Sequence, residues 1–368
     1  MKRKFNWFTA LAISAVSTVG LAAPAFAATV ASPTIETIGG YNFISTSADG
    51  KITATYSSST GLSVYNSDTA EVSNYTDTFF GLISAGHAVV SPDGAYVYML
   101  GYDPQRVTVF DVVSESVDRT IALPFSAWMG AITPNGQILI AYSYETQEIV
   151  TIDLSTDAVS TSLDLGLDYP YQLCVTSDSS TLFVPGYDAG YTSVVDIGSL
   201  TETAQLPDAG GPLTCALAAD DTLYIGDYDT GAIRKYADDG SSTLSATGLV
   251  DEMYGIGLTC QSVIVGDYQN TGYVVLNRRT LAQTGNIASD VYTYMMAVTA
   301  DANTTWVGGY SAAYGMQSLT ETSCVLAETG ASTSAIGTAL AGSAGLLVVG
   351  AITIIVIRRR FSNNPIFS

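Results

Sequence analysis

The chain has 368 residues, with 13 Lys plus Arg against 34 Asp plus Glu, a net charge of −21, one His and four Cys. A chain this acidic repels phosphate backbones, which excludes general nucleic-acid binding, and a lone His excludes chemistry that needs two imidazoles. A hydrophobic content of 47% excludes a disordered polar chain. The charge is unevenly spread. Lys2, Arg3 and Lys4 open the chain and Arg358, Arg359 and Arg360 lie near its end, whereas residues 28–329 carry seven basic and all 34 acidic groups, a net −27.

Residues 1–27 read as a secretory signal peptide. A basic start is followed by an apolar run from about Trp7 to Ala23 and then Pro24-Ala25-Phe26-Ala27. Ala25 and Ala27 satisfy the small-residue rule for signal peptidase, with cleavage expected before Ala28.

Residues 28–325 read as one repeating domain. Each unit has an apolar strand ending in a turn such as SPDG or TPNG, then a second strand ending in Tyr, then a third. The cleanest copies are VVSPDGAYVYMLGYD (89–103), AITPNGQILIAYSYE (131–145) and CVTSDSSTLFVPGYD (174–188). The closing tyrosines fall at 102, 144, 187, 228, 268 and 310, a step of 40 to 43 residues. The turn residues Asp49, Asp93, Asn135, Asp178, Asp220 and Asp301 keep the same beat, with Cys260 standing in the sixth unit. About four short strands per ~42 residues, with no long helical period, predict an all-β, seven-bladed β-propeller over 41–326. Its ring is expected to close with Thr34–Gly39 as the outer strand of the last blade.

These copies resemble the YVTN-type seven-bladed propellers, whose blades run "apolar–Pro-Asp-Gly–apolar–Val-x-Val-Asp". The third-strand element recurs as VTVFDVVSESV (107–117) and EIVTIDLSTDAV (148–159). The resemblance implies the fold and is nearly silent on activity.

In such a ring the second strand returns to the face where the first begins. The repeated tyrosines therefore share one mouth of the channel with the residues that start each inner strand: Tyr41, His87, Trp128, Tyr171, Tyr254 and Tyr294. Asp103, Glu145, Asp188 and Asp229 follow in the adjoining loops. Aromatic planes stack on sugars or peptide side chains, and carboxylates accept hydroxyl or cationic donors, so this mouth is the expected ligand site. The six repeated tyrosines are also placed to pack between blades. His87 is the one imidazole available for acid or base work, and it has no recognisable partner. No catalytic residue, metal ligand or cofactor is assigned, and Asp227 and Asp229 are the pair at which calcium is conceivable. Cys174 and Cys215 occupy equivalent places in neighbouring inner strands and are expected as two buried thiols, with Cys260 and Cys324 as the better disulfide pair.

Leu326-Ala327-Glu328-Thr329-Gly330 precedes an uncharged run over 335–357 and the Arg-rich tail 358–368. Those 23 positions reach about 35 Å as a helix, enough to cross a bilayer of ~30 Å with the arginines inside. The arrangement resembles the sorting signal of Gram-positive cell-wall proteins, with Ala327 at the usual Pro as in the Leu-Ala-x-Thr-Gly variant of high-GC bacteria. The resemblance implies that a sortase attacks the Thr329 carbonyl, expels Gly330 and passes the chain to peptidoglycan. The expected function is a wall-anchored surface protein that displays the propeller to an extracellular glycan or protein, for adhesion or ligand binding. The alternatives are an extracellular enzyme of lactonase or lyase type and a structural wall component.

Overall fold

The computed structural model describes residues 29–321, apart from 41, 58–59, 209, 238–240 and 311–314. The expected signal peptide with Ala25, Ala27 and Ala28, the sorting motif Leu326–Gly330, the apolar run 335–357 and the tail 358–368 lie outside the described residues, as do Tyr41 and Cys324. No helix among the described residues is long and apolar enough to cross a membrane.

Turn chemistry sets the local structure. In the second unit the Ser91 hydroxyl donates to Asp93 Oδ1 (2.6 Å), and Ala95 N and Tyr96 N donate to Asp93 Oδ1 and Ser91 Oγ. Ser47/Asp49, Thr133/Asn135, Thr176/Asp178 and Thr299/Asp301 repeat this arrangement. A side-chain acceptor two residues from its donor satisfies the turn amides that the strands leave over. The sixth unit has Cys260 at this place. There Glu321, buried in the last strand, accepts from Thr259 Oγ1 (2.7 Å) and Gln261 N (3.0 Å) and stands in for the missing aspartate. In the second, third and fourth units the aspartate ending the third strand caps its turn in the same manner, Asp111, Asp153 and Asp196 accepting from Ser114 N, Ser155 N and Ser199 N.

Between turns the strands form antiparallel meanders. In the second unit Ser84–Val90, Tyr96–Asp103, Arg106–Asp111 and Ser116–Ala122 pair in order. The first three strands are buried almost throughout and the fourth is mostly exposed. Inner strands lie against neighbouring sheets on both faces and so read as apolar runs, whereas the rim strand meets water. The arrangement is a β-propeller.

The expected seven separate blades are a correction. Five discrete sheets of four or five strands are present, and an eight-stranded sheet covers the sixth and seventh repeats. The cause is Gln283–Val298, a 16-residue strand that serves as the rim of the sixth repeat and continues as the inner strand of the seventh. Each other crossing from rim to axis contains Gly or Pro (Gly81, Pro124, Gly166, Gly210, Gly248), which breaks the strand. Residues 287–291, Ile-Ala-Ser-Asp-Val, contain neither, so the extended chain runs on.

Two short N-terminal strands complete that sheet. Thr29–Ala31 and Ile35–Glu36 pair antiparallel with Gly315–Glu321, putting Thr29 opposite Glu321 and Ile35 opposite Met316. Gln317 Nε2 donates to Thr34 Oγ1 (3.0 Å). The outer strand expected at Thr34–Gly39 thus begins earlier, at Thr29.

Candidate functional site

The inner strands start at one end of the axis, and there their aromatic residues meet. Phe43, buried, makes edge contacts with Trp128 (ring centroids 5.6 Å) and Tyr294 (5.0 Å), and its ring lies 5.9 Å from that of His87. Tyr294 continues to Tyr171 (6.2 Å) and Tyr254 (5.8 Å), and Tyr254 stacks on Tyr268 at 4.4 Å. Tyr268 stacks in turn on Tyr310 at 4.3 Å. Rings from six repeats therefore form one layer across the axis, and edge and offset pairs of this kind add to the area they bury. Trp128, Tyr171, Tyr254 and Tyr268 remain partly open to solvent.

Below this layer runs a channel of about 280 Å³, lined by small inner-strand residues such as Ser45, Ala131 and Ala297 and reaching the turns at Ala48, Pro92, Pro134 and Ala300. Phe43, Trp128, Tyr171, Tyr254 and Tyr294 do not line it. It opens among the turns, and the aromatic rings at the other end form a layer, a platform that is not part of its lining. Gln172 bridges the axis: its Nε2 donates to Met296 O (2.9 Å) and its Oε1 accepts from Thr214 Oγ1 (2.6 Å).

Carboxylates stand around the platform. The Tyr102 phenol donates to Glu145, and that of Tyr187 to Asp229 at 3.0 Å, in each case one repeat further on. Glu145 and Asp229 keep these phenols above their ordinary range, for Tyr102 as the leading cause and for Tyr187 second to burial. Burial and then Glu252 push Tyr228 up to about 12, and burial and then the neighbouring phenols raise Tyr254 strongly. All are neutral donors near pH 7. The repeated tyrosines thus do link neighbouring repeats, and Tyr310 does so by donating to the Tyr268 carbonyl.

Of the residues singled out from sequence, Trp128, Tyr171, Tyr254 and Tyr294 come together in the platform, Glu145 and Asp229 are tied to its tyrosines, and Asp103 and Asp188 are exposed nearby. Phe43, Gln172 and Glu252 were not singled out. Phe43 could have been, being an aromatic residue in a strand equivalent to those that were. His87 is buried at 3% exposure, its Nδ1 lies 3.2 Å from the Gly130 carbonyl, and burial lowers its pKa to about 4. With a ring packed on Phe43 and no carboxylate bonded to it, it is a packing residue that stays neutral. Asp227 is fully buried, accepts from Thr230 N (2.9 Å) and lies against Gly210 so closely that any Cβ there would collide with it. Asp229 instead turns to Tyr187, so the two do not converge on one ion. Among the described residues no group of three or more His, Cys, Asp or Glu could hold a metal.

The cysteines require a second correction. Cys174 and Cys215 form a disulfide with a Cα separation of 6.2 Å rather than two thiols. Inner strands converge on the axis, so equivalent positions in neighbouring repeats come inside the ~7 Å that a bridge tolerates. Cys260 is also disulfide-bonded, and its expected partner Cys324 lies outside the described residues.

No family model matches the chain, and no curated protein matches it. Solved structures do. A Kuenenia stuttgartiensis hydrazine synthase chain aligns at TM-score 0.63 with 13% identity over 78% of this chain and 97% of that one. A chain of the mitotic checkpoint complex gives 0.64 with 15% identity over 87% and 99%. The β-propeller domain of Cps50 (Swd1) from Myceliophteria thermophila gives 0.62 with 12% identity over 80% and 100%. At these identities the likeness is one of fold alone: the chain is a β-propeller, and its chemistry has to be argued from its own residues.

Proposed function

We propose that this is a secreted, wall-anchored display protein of the YVTN propeller type, which binds an extracellular glycan or protein on its aromatic platform. The observation that carries the reading is the layer of partly exposed rings, Trp128, Tyr171, Tyr254 and Tyr268, flanked by Glu145, Glu252 and Asp229. Flat rings accept the apolar face of a sugar or a side chain, and the carboxylates around them take its hydroxyl or cationic donors. Export and anchoring are supported by sequence: the basic–apolar–Ala-x-Ala start, and Leu326–Gly330 ahead of an apolar span and three arginines. In this reading sortase acts at Thr329 and joins the chain to peptidoglycan.

An array of glycans and matrix proteins probed with residues 28–325 tests the binding. Trp128→Ala and Tyr171→Ala each lower affinity for a hit by tenfold or more, and unchanged affinity in both rejects the platform. Thr329→Ala is expected to vanish from the covalent wall fraction, and its persistence there rejects anchoring. The enzymatic alternative is disfavoured because His87, which lines the channel, is only 3% exposed and has no carboxylate bonded to it.

A further inference from the structure

The turn face carries a second recess, well away from the platform. It is a groove of about 600 Å³ between the second and third repeats. The second repeat contributes Tyr96, Tyr98 and Arg119, and the third contributes Asn135, Gln137 and Asp157.

Four other junctions on that face are closed by bonds between their turns, and this one is not. Ala48 N donates to Pro92 O (2.9 Å) between the first and second repeats, and Ala300 N to Ala48 O (3.1 Å) between the last and first. Asn135 N donates to Ser179 Oγ (3.2 Å), and Ser177 N and Oγ to Asp221 (2.7 Å each), across the next two junctions. No hydrogen bond joins turn 91–95 to turn 133–137. The far rim is instead tied by Arg119, whose Nε bonds both oxygens of Asp157 at 3.0 Å and whose Nη1 bonds Asp118 at 2.6 Å.

The phenol at Tyr98 gives a second contrast. Tyr224 holds the equivalent place in the fifth repeat and spends its hydroxyl on the Arg278 carbonyl of the sixth (3.0 Å). Tyr98 has no such bond among the described residues, and its ring lies 6.4 Å from that of Tyr96 two residues earlier on the same strand face. The partly exposed ring of Tyr96, the edge of the buried Tyr98, a guanidinium fixed by carboxylates and two amides opposite make a site of aromatic area plus planar hydrogen-bonding groups. Each charged group here already has partners, Arg119 bonding Asp118 and Asp157 and Asp93 accepting from Ser91 Oγ and Ala95 N, which disfavours a charged ligand. We propose that this groove binds a neutral saccharide, with Tyr96 against the sugar and the Tyr98 hydroxyl, Gln137 and Asn135 bonding its hydroxyls. The inference does not rest on the platform reading.

The test is titration of the full-length chain, followed by ligand-observed NMR, with glucose, galactose, mannose, N-acetylglucosamine and their β-linked dimers, and with glucuronic acid and glucosamine as charged controls. At least one neutral sugar is expected to bind, with affinity falling about tenfold in Tyr98→Phe and in Gln137→Ala. Tyr98→Phe keeps the buried ring and removes only the hydroxyl, so a retained thermal midpoint shows that the fold is intact. Leu244→Ser, on the exposed rim strand of the fifth repeat and outside both the groove and the platform, is expected to leave this binding unchanged. Absence of binding to every neutral sugar, tighter binding of either charged control, indifference to both groove variants, or equal loss in Leu244→Ser each overturns the proposal.

Discussion

The two ends of the channel are built from the same repeat and yet differ in kind. At the turn end five of the seven units contribute the same device, a Ser or Thr bonded to an Asp or Asn two residues on, and the lumen stays open between small residues. At the other end the units contribute different side chains, Phe43, His87, Trp128, Tyr171, Tyr254 and Tyr294, and these fill the axis. Backbone geometry imposes sameness where a chain must reverse. Packing across an axis tolerates variety as long as the volume is filled, and that freedom is available for recognition.

The sharpest way to break this contrast is to hollow the filled end. Phe43→Ala removes a buried ring that touches three others and is expected to cost about 3–5 kcal/mol by urea denaturation, whereas Pro92→Ala at the open end should cost well under ~1 kcal/mol. Equal costs would mean that the aromatic layer does not hold the ring together. The second test is pH. Burial lowers His87 from 6.5 to about 4. A group depressed in the fold binds its proton more readily when unfolded, so the stability it gives is complete above pH 6.5 and drains as pH falls towards 4, by roughly 3 kcal/mol. His87→Leu should flatten that part of the stability curve, and an unchanged curve would show that another group titrates there.

Smaller effects refine the picture. Gln172→Leu leaves the Met296 carbonyl and the Thr214 hydroxyl without this partner and is expected to cost about 1–3 kcal/mol in thermal or urea unfolding. Asp178→Ala removes acceptors used by Thr176 and Ser180 and should cost about 1 kcal/mol at pH 7. Hydrogen bonds from Thr176 and Ser180 hold its carboxyl below the usual range, so this contribution is present above about pH 4 and is lost as pH falls through the depressed value. Trp128→Ala should cost less stability than Phe43→Ala, being partly exposed, while its effect on ligand affinity is the large one.

The turn device is why so much of the fold could be read from sequence. Ser-Pro-Asp-Gly and its relatives make their bonds within five residues, so the period, the strand order and the shared mouth of Trp128, Tyr171, Tyr254 and Tyr294 are local facts multiplied by a ring. What could not be read was distance across the axis. Cys174 and Cys215 looked too far apart because the convergence of inner strands is not written in either strand. Gln172 looks like any polar residue until Met296 is brought opposite it. The merged sheet was legible in principle, in the missing Gly and Pro of 287–291, but a signal made of absent residues is easily passed over.

Pairing Thr29 with Glu321 also sets an order of events. Synthesis delivers the chain from one end, so the first strand waits for its partner until nearly every other residue has been made. The intermediate sheets can meander into shape one after another, each with its own turns, but the circle remains a horseshoe with two unguarded edges until residues 315–321 arrive. A chain cut short before them would keep most of its local structure and still expose those edges.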